Sequence, residues 1–355
     1  MRLLIQPRDG VEPLLKAIKG ARKSIDILIF RLDWRELETA LKAASKRGIA
    51  VRALIAHTNR GGESKLRNLE MRFLEAGITV ARTADDLIRY HGKMMIVDRQ
   101  TLYLLSFNFL HIDIEHSRGF GIVTRHAKYV HEALKLFEAD SNRQTYTPGV
   151  NTFIVSPANA RAQLTAFVEK AKKQLLIYDP KIADHQIVGT LQNLAKDGVD
   201  IRIIGSLAAR NAILRVAPLT CMRLHTRTII RDGRDAFIGS QSLRPNELDS
   251  RREIGIIVRD PRIVNELLGT FEKDWDSTGF EELHAAGVEE QPAPAPPVEV
   301  EQALATAVKQ AVRKVVAKAG PEVLDNGNLA TAVKHTVKKA VKEAVKEIAA
   351  SADEV

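Results

Sequence analysis

The chain repeats itself, and that repeat restricts the folds open to it. ARKSIDILIF (residues 21–30) aligns with AKKQLLIYDP (residues 171–180), and KRGIAVRALI (46–55) with KDGVDIRIIG (196–205), both at an offset of 150. Farther along, HGKMMIVD (91–98) aligns with HTRTIIRD (225–232) and FEAD (137–140) with FEKDW (271–275), now at an offset of 134. One ancestral unit is therefore present twice. The second copy is sixteen residues shorter, and the loss is expected in the loop that holds TNRGGESKLRN in the first.

Each copy opens alike: a helical stretch ending in basic residues, a β-branched strand, an Ala/Leu-rich helix closed by Gly, and a second strand. That is a βαβ unit. The expected class is α/β: two related halves of mixed, mostly parallel sheets flanked by helices, with a site where the halves meet. We place the halves at 1–146 and 147–286, followed by a Pro/Ala/Glu linker at 287–301 and an Ala/Lys/Val-rich tail at 302–355. ATAVKQAVRKVV (305–316) is echoed by ATAVKHTVKKAV (330–341), two amphipathic helices around a turn at DNGN. Val333, Val337, Val341, Val345 and Ile348 share one helical face opposite lysines, which suits self-association, docking at a surface or a solvated tail.

YHGKMMIVDR (90–99) sets His, Lys and Asp in a run that otherwise reads as a buried strand. Alternation puts His91, Lys93 and Met95 on one face, and His225, Arg227 and Ile229 on the equivalent one. Burying a cation without a partner costs on the order of several kcal/mol, so two such faces imply an anion between them. Eight residues after Asp98 and Asp232 come Ser106 and Ser240, followed two residues on by Asn108 and Ser242. Hydroxyl and amide donors beside His and a cation make a cradle for a tetrahedral phosphate.

These residues resemble the signature of the phospholipase D superfamily, His-x-Lys-x4-Asp-x6-Gly-Ser-x-Asn, here twice over about residues 1–280. The first copy carries His91, Lys93, Asp98, Ser106 and Asn108, with Leu105 in place of Gly. The second carries His225, Asp232, Gly239 and Ser240, with Arg227 for Lys and Ser242 for Asn. The resemblance implies a two-step displacement through a phosphohistidine, without metal or cofactor. His91 would be the nucleophile and His225 the general acid/base. Lys93 and Arg227 would neutralise nonbridging oxygens, Ser106, Asn108 and Ser240 would donate to them, and Asp98 and Asp232 would be structural supports. Glu253 stands where the family places a carboxylate that orients a histidine. Its counterpart is Gly119, so Glu115 is the substitute expected from nearby. PNELDSRRE (245–253) is expected to line the mouth, as is the turn RGGESK (60–65), which lacks P-loop spacing.

The first substrate reading is a phospholipid phosphodiesterase or phosphatidyltransferase, since ARKSIDILIF and AASKRGIAVRALI resemble the opening of cardiolipin-synthase-type proteins. Alternatives are a nuclease with the same chemistry and a decayed, phosphodiester-binding protein. Charge suits any anionic partner: the formal net charge is +9, and from Glu289 onward nine basic face ten acidic residues, so the body carries the excess. Aromatic residues, at 5%, are few for stacking bases. The single cysteine, Cys221, excludes an intrachain disulfide and a cysteine zinc site, and is expected to pack as a small hydrophobe. No apolar run has membrane-span length, so the expected setting is cytoplasmic, with peripheral contact to an anionic membrane as an option.

Overall fold

Two sheets of matching strand order carry the duplication in a computed structural model that describes residues 1–57, 63–208 and 213–280. The first half supplies β1 (Arg2–Gln6), β2 (Ser24–Ile29), β3 (Ala50–Ile55), β4 (Thr79–Arg82), β5 (Arg89–Tyr90), β6 (Met94–Val97), β7 (Thr101–Leu105) and β8 (Ser117–Thr124). Its helices are α1 (Glu12–Gly20), α2 (Arg35–Lys46), α3 (Glu63–Leu74), α4 (His111–Glu115) and α5 (Ala127–Ser141). The second half supplies β9 (Phe153–Val155), β10 (Gln174–Ile182), β11 (Asp200–Leu207), β12 (Arg215–Ala217), β13 (Arg223–Leu224), β14 (Arg227–Arg231), β15 (Asp235–Gly239), β16 (Arg251–Arg252) and β17 (Ile254–Val258). Its helices are α6 (Ala160–Glu169), α7 (His185–Lys196), α8 (Pro245–Asp249) and α9 (Pro261–Asp276).

Sheet order β1-β8-β7-β6-β2-β3-β4 is reproduced as β9-β17-β15-β14-β10-β11-β12. Helices α2 and α7 cross between parallel strands, as the βαβ reading requires, giving the parallel pairs β2-β3 and β10-β11. Short turns make β6-β7 and β14-β15 antiparallel hairpins. Five of seven strands thus run one way in each sheet and two the other way, which is the expected mixed α/β class. Among the described residues, what the first half has and the second lacks is helix α3, between β3 and β4. Residues 60–62 of the expected mouth turn, the linker and the tail lie outside the described residues.

The halves share one core. Leu104, Phe120, Phe137, Tyr178, Ile238 and Phe271 belong to a single apolar cluster built from both sheets, α5 and α9. The outer face of each sheet packs separately, against α1, α2 and α3 in the first half and against α6 and α7 in the second. Cys221 departs from expectation: it is exposed in the loop between β12 and β13, where no apolar layer covers it.

The FEAD and FEKDW echoes have a physical reason. Asp274 on α9 holds Arg118 of the first half through two contacts of 2.7 Å and accepts the Tyr178 hydroxyl at 2.7 Å. At the equivalent place Asp140 on α5 pairs with Arg252 of the second half at 3.0 Å. Nη1 of Arg118 donates to the Gln6 carbonyl and Nη1 of Arg252 to the Ser156 carbonyl. Both ion pairs are buried and both cross between halves. Asp274→Ala would leave a buried guanidinium with one carbonyl partner, and is expected to cost about 3–5 kcal/mol. Urea unfolding, with the midpoint and slope compared to wild type, checks this.

Candidate active site

Each motif histidine sits just before its central strand and not in it. His91 and Lys93 precede β6, and His225 precedes β14. The sequence reading placed both histidines on strands; here each entering segment leaves its own ladder and pairs with the opposite half. β5 runs parallel to β16, and His91 donates its N–H to the Arg252 carbonyl at 2.7 Å. β13 runs parallel to β8, and His225 donates to the Arg118 carbonyl at 3.1 Å. The buried Arg–Asp pairs therefore fix the two carbonyls that hold the histidine backbones. Gly92, between His91 and Lys93, is needed for this approach: a Cβ there would lie 2.5 Å from Ile254 and 2.9 Å from Leu28.

Asp98 and Asp232 close the motif as structural anchors. Each stands in a turn with φ of 54° or 52°. Asp98 accepts the N–H groups of Arg22, Lys23 and Ser24, and Asp232 those of Lys172, Lys173 and Gln174. Burial opposes ionisation of both carboxyls, but the three backbone donors outweigh it and their pKa values are lowered. They lock the motif turn onto the start of β2 and β10, away from the imidazoles.

The chemistry gathers around two enclosed imidazoles, His91 at 9% and His225 at 6% exposure. His91 Nδ1 lies 2.8 Å from Glu253 Oε2, and Lys93 Nζ lies 3.0 Å from Nδ1 and 2.9 Å from Nε2. The tautomer that donates Nδ1–H to the carboxylate leaves the Nε2 lone pair facing the ammonium. Glu253 is thus brought against His91 from the other half.

The partner of His225 is a residue that the sequence did not single out. Glu115 is half exposed and pairs with His111 at 3.6 Å. Asp113, two residues earlier on α4 and 1% exposed, instead brings Oδ2 to 3.5 Å from His225 Nε2. Asp113 is held by the backbone and side-chain nitrogens of Asn108 at 2.9 and 2.7 Å and by Arg223 at 2.6 Å. The 134-residue offset carries the signal for it: Asp113 aligns with Glu247, which likewise accepts the Ser242 N–H at 2.8 Å. Gly119 cannot act as Glu253 does, and the ring of Phe107 covers it, 3.0 Å from where a Cβ would stand. Each imidazole is therefore paired with a carboxylate of the other half.

Lys93 is fully enclosed, and Arg227 keeps a buried Nε without a partner while its Nη1 donates to the His225 carbonyl at 2.5 Å. Ser106 Oγ accepts the Phe120 N–H at 2.9 Å and Ser240 Oγ the Ile254 N–H at 3.1 Å, equivalent bonds in the two sheets. Ser242, standing for the motif Asn, gives its hydroxyl to Asp179. Asn108 retains a buried Oδ1 with no partner. Leu105, standing for the motif Gly, fits because its neighbour across the ladder is Gly121.

Burial dominates the electrostatics. Desolvation, reinforced by Lys93 and Arg227, holds His91 neutral, well below the usual histidine pKa. Desolvation also lowers His225, against the opposing pull of Asp113. Glu253 is raised by burial, partly offset by Lys93. Burial brings Lys93 down to about 7, with Glu253 acting against the fall. Lys93 is thus charged below about pH 7 and loses its proton above it. The apparent affinity for a phosphate anion is expected to fall as pH rises through that value, and Lys93→Arg, which stays charged, to flatten the profile. Titrating dimethyl phosphate, which keeps a single charge throughout, by calorimetry at about pH 6, 7 and 8 checks this, the window being set by the shifted ammonium.

Residues 14–141 and 164–275 match the family model described as cardiolipin synthase, PLD-like domain, which spans both halves and more than half of the chain. The chain belongs to the phospholipase D superfamily. This PLD-like chain is 20% identical over 298 residues to a polyphosphate kinase of Helicobacter pylori, a match that covers 76% of this chain and 44% of that one. The chain thus spans less than half the length of that relative. Its fold is similar to polyphosphate kinase from Porphyromonas gingivalis (TM-score 0.66, 18% identity, 77% of this chain and 50% of that one). It is also similar to phosphatidylserine synthase from Haemophilus influenzae (TM-score 0.58, 11% identity, 78% and 85% covered). At these identities the likeness is one of fold. Among the described residues of this PLD-like chain, no helix is long and apolar enough to cross a membrane.

Proposed function

We propose that this chain is a phosphodiesterase or phosphatidyltransferase of the phospholipase D type that acts on phospholipids through a covalent phosphohistidine. The observation that carries the reading is the inequivalence of the two imidazoles. Glu253 stands at Nδ1 of His91, so that an Nδ1–H donated to it leaves Nε2 as a lone-pair donor, whereas Asp113 stands at Nε2 of His225. His91 Nε2 attacks phosphorus, a P–N bond forms, and the P–O bond to the leaving alcohol breaks. His225 supplies the proton that the leaving oxygen takes up, then removes one from water or an acceptor alcohol as the P–N bond breaks.

Both imidazoles are neutral at rest, so the acid form of His225 has to arise in the complex. An incoming phosphate anion, together with Asp113, raises its pKa toward that need. Lys93, Arg227 and the donors Ser106, Asn108 and Ser240 would balance charge on the nonbridging oxygens. The match to a cardiolipin-synthase-type family model and the fold shared with a phosphatidylserine synthase support the lipid class.

The test offers the purified full chain, in excess chelator, labelled phospholipid vesicles, single-stranded DNA and inorganic polyphosphate in separate assays, with His91→Ala and His225→Ala alongside. Lipid turnover abolished by both substitutions is the expected result. Turnover of DNA or polyphosphate alone would move the chain to that substrate class. No turnover of any of the three, and no phosphorylated histidine, would overturn the enzymatic reading.

A further inference from the structure

Three departures from the first half meet at one place in the second. Asp179 stands where the first half has Ile29, Arg227 where it has Lys93, and Ser242 where it has Asn108. In the β10-β14 ladder Tyr178 lies opposite Thr228, so the next rung sets Asp179 beside Arg227. In the β2-β6 ladder Leu28 lies opposite Met94, and the equivalent rung is Ile29 beside Lys93. Residues so placed hold their Cβ atoms roughly 5 Å apart on one face of the sheet. The Ser242 hydroxyl completes the group by donating to Asp179.

Asp179 is 1% exposed and has no part in the displacement steps. It also accepts the N–H of Leu243 at 2.7 Å and that of Lys181 at 3.0 Å. Anchoring this loop does not by itself require an acid. In the first half Phe109, the counterpart of Leu243, gives its N–H to the Arg31 carbonyl at 3.3 Å, with Ile29 in place of the acid. The second half instead reshapes its backbone around the carboxylate. β10 bulges between Asp179 and Ile182, and Gly205, opposite Asp179, has a φ of 143°, where a Cβ would collide with the Asp179 carbonyl oxygen. Ile55 occupies that position in the regular first-half ladder.

What the acid faces is the motif cation. Arg227 favours ionisation of two buried carboxyls, Asp179 and Glu253, so its guanidinium is within range of both charges. Glu253 stands against His91 with Oε2 and keeps Oε1 buried without a hydrogen bond, 3.9 Å from Arg251. Arg227 likewise keeps Nε buried without a partner.

We propose that Asp179 is a positioning residue for Arg227, holding the second motif cation off Glu253 and turned to the phosphate, so that Asp179, Arg227 and Ser242 act as one set. This rests on the reading of the site as a phosphodiester cradle and deepens it. An arginine freed from Asp179 pairs with the open Glu253 oxygen through its planar fork of donors, and both the phosphate and His91 lose a partner. The first half needs no such acid, because the compact ammonium of Lys93 lacks that fork.

Calorimetric titration of the full chain with dimethyl phosphate tests the set without turnover. Asp179→Asn is expected to bind about tenfold more weakly, the loss of one charge-assisted contact. Arg227→Lys alone is expected to lose a similar factor, because the shorter cation is drawn to Asp179. Together the two changes reproduce the first half's lysine without a ladder acid, and the double variant is expected to return to within about threefold of wild type, the non-additivity of coupled neighbours. A purely structural Asp179 gives another order, since a lysine at position 227 repairs nothing around Leu243. The double variant would then bind no more tightly than Asp179→Asn, which overturns the proposal. Either single variant binding as wild type does also overturns it. Asp179→Ser, which leaves room for water at the Leu243 N–H, gives the same comparison where the amide variant does not fold. A wild type that binds dimethyl phosphate but turns over no substrate removes the phosphodiesterase reading alone.

Discussion

His225→Ala is expected to accumulate a phosphorylated enzyme from a p-nitrophenyl phosphodiester, while His91→Ala forms none. The p-nitrophenolate leaves without a proton, so P–N bond formation needs only the Nε2 lone pair of His91, released once Lys93 Nζ, 2.9 Å away, turns to the phosphate. Breakdown of the adduct needs a base to activate water, and that group is missing when His225 is removed. Turnover should fall by about 10²–10⁴ in the His225 variant, the usual loss of a general acid/base, and to background in the His91 variant. Rapid mixing would show a nitrophenolate burst in one and no burst in the other, with the trapped phosphate stable to alkali and labile to acid. A burst from His91→Ala and none from His225→Ala would exchange the two roles.

Asp113→Asn is expected to lower kcat by about 10²–10⁴, by analogy with loss of a triad acid, and to move its alkaline limb to lower pH. The sign follows from charge. Asp113 raises the His225 pKa against burial, so removing the carboxylate leaves the imidazolium less stable and the acid form is lost at a lower pH. Asp113 also holds Asn108 and Arg223, so a fall in kcat alone would not separate orientation from structure. The limb does: a structural defect leaves its midpoint where it was. Asp113→Glu should restore part of the rate and return the limb toward its original place. A reduced kcat with an unmoved limb would make Asp113 a scaffold residue only.

Much of this site is legible in one sequence because duplication sets two motifs side by side. His91, His225, Lys93 and Arg227 stand together in the fold, as their matched spacing implies, and Glu253, which has no acidic counterpart in the other half, joins them. The resemblance implies that Asp98 and Asp232 are supports, and the fold decides what they hold, the starts of β2 and β10. Asp113 was hidden for a different reason. It lies off the register of Glu253, and its value to His225 comes from a contact 112 residues away in sequence that only the cross-half pairing of β13 with β8 creates. The vacancy at Gly119 is visible in the sequence. That Phe107 fills the space, so that no acid could act from there, is a matter of packing.

The same division holds for the whole chain. Sequence alone determined that there are two βαβ-based halves, which motif residues recur in both, and where the second half is short, because periodicity and repeat are local properties of the polypeptide. Tertiary structure decided which carboxylate stands against which imidazole and that both Arg–Asp ion pairs cross between halves. Those are long-range contacts between segments with no common pattern. They exist only once two sheets share a core and the entry to each histidine is paid out onto the opposite half as a short parallel strand.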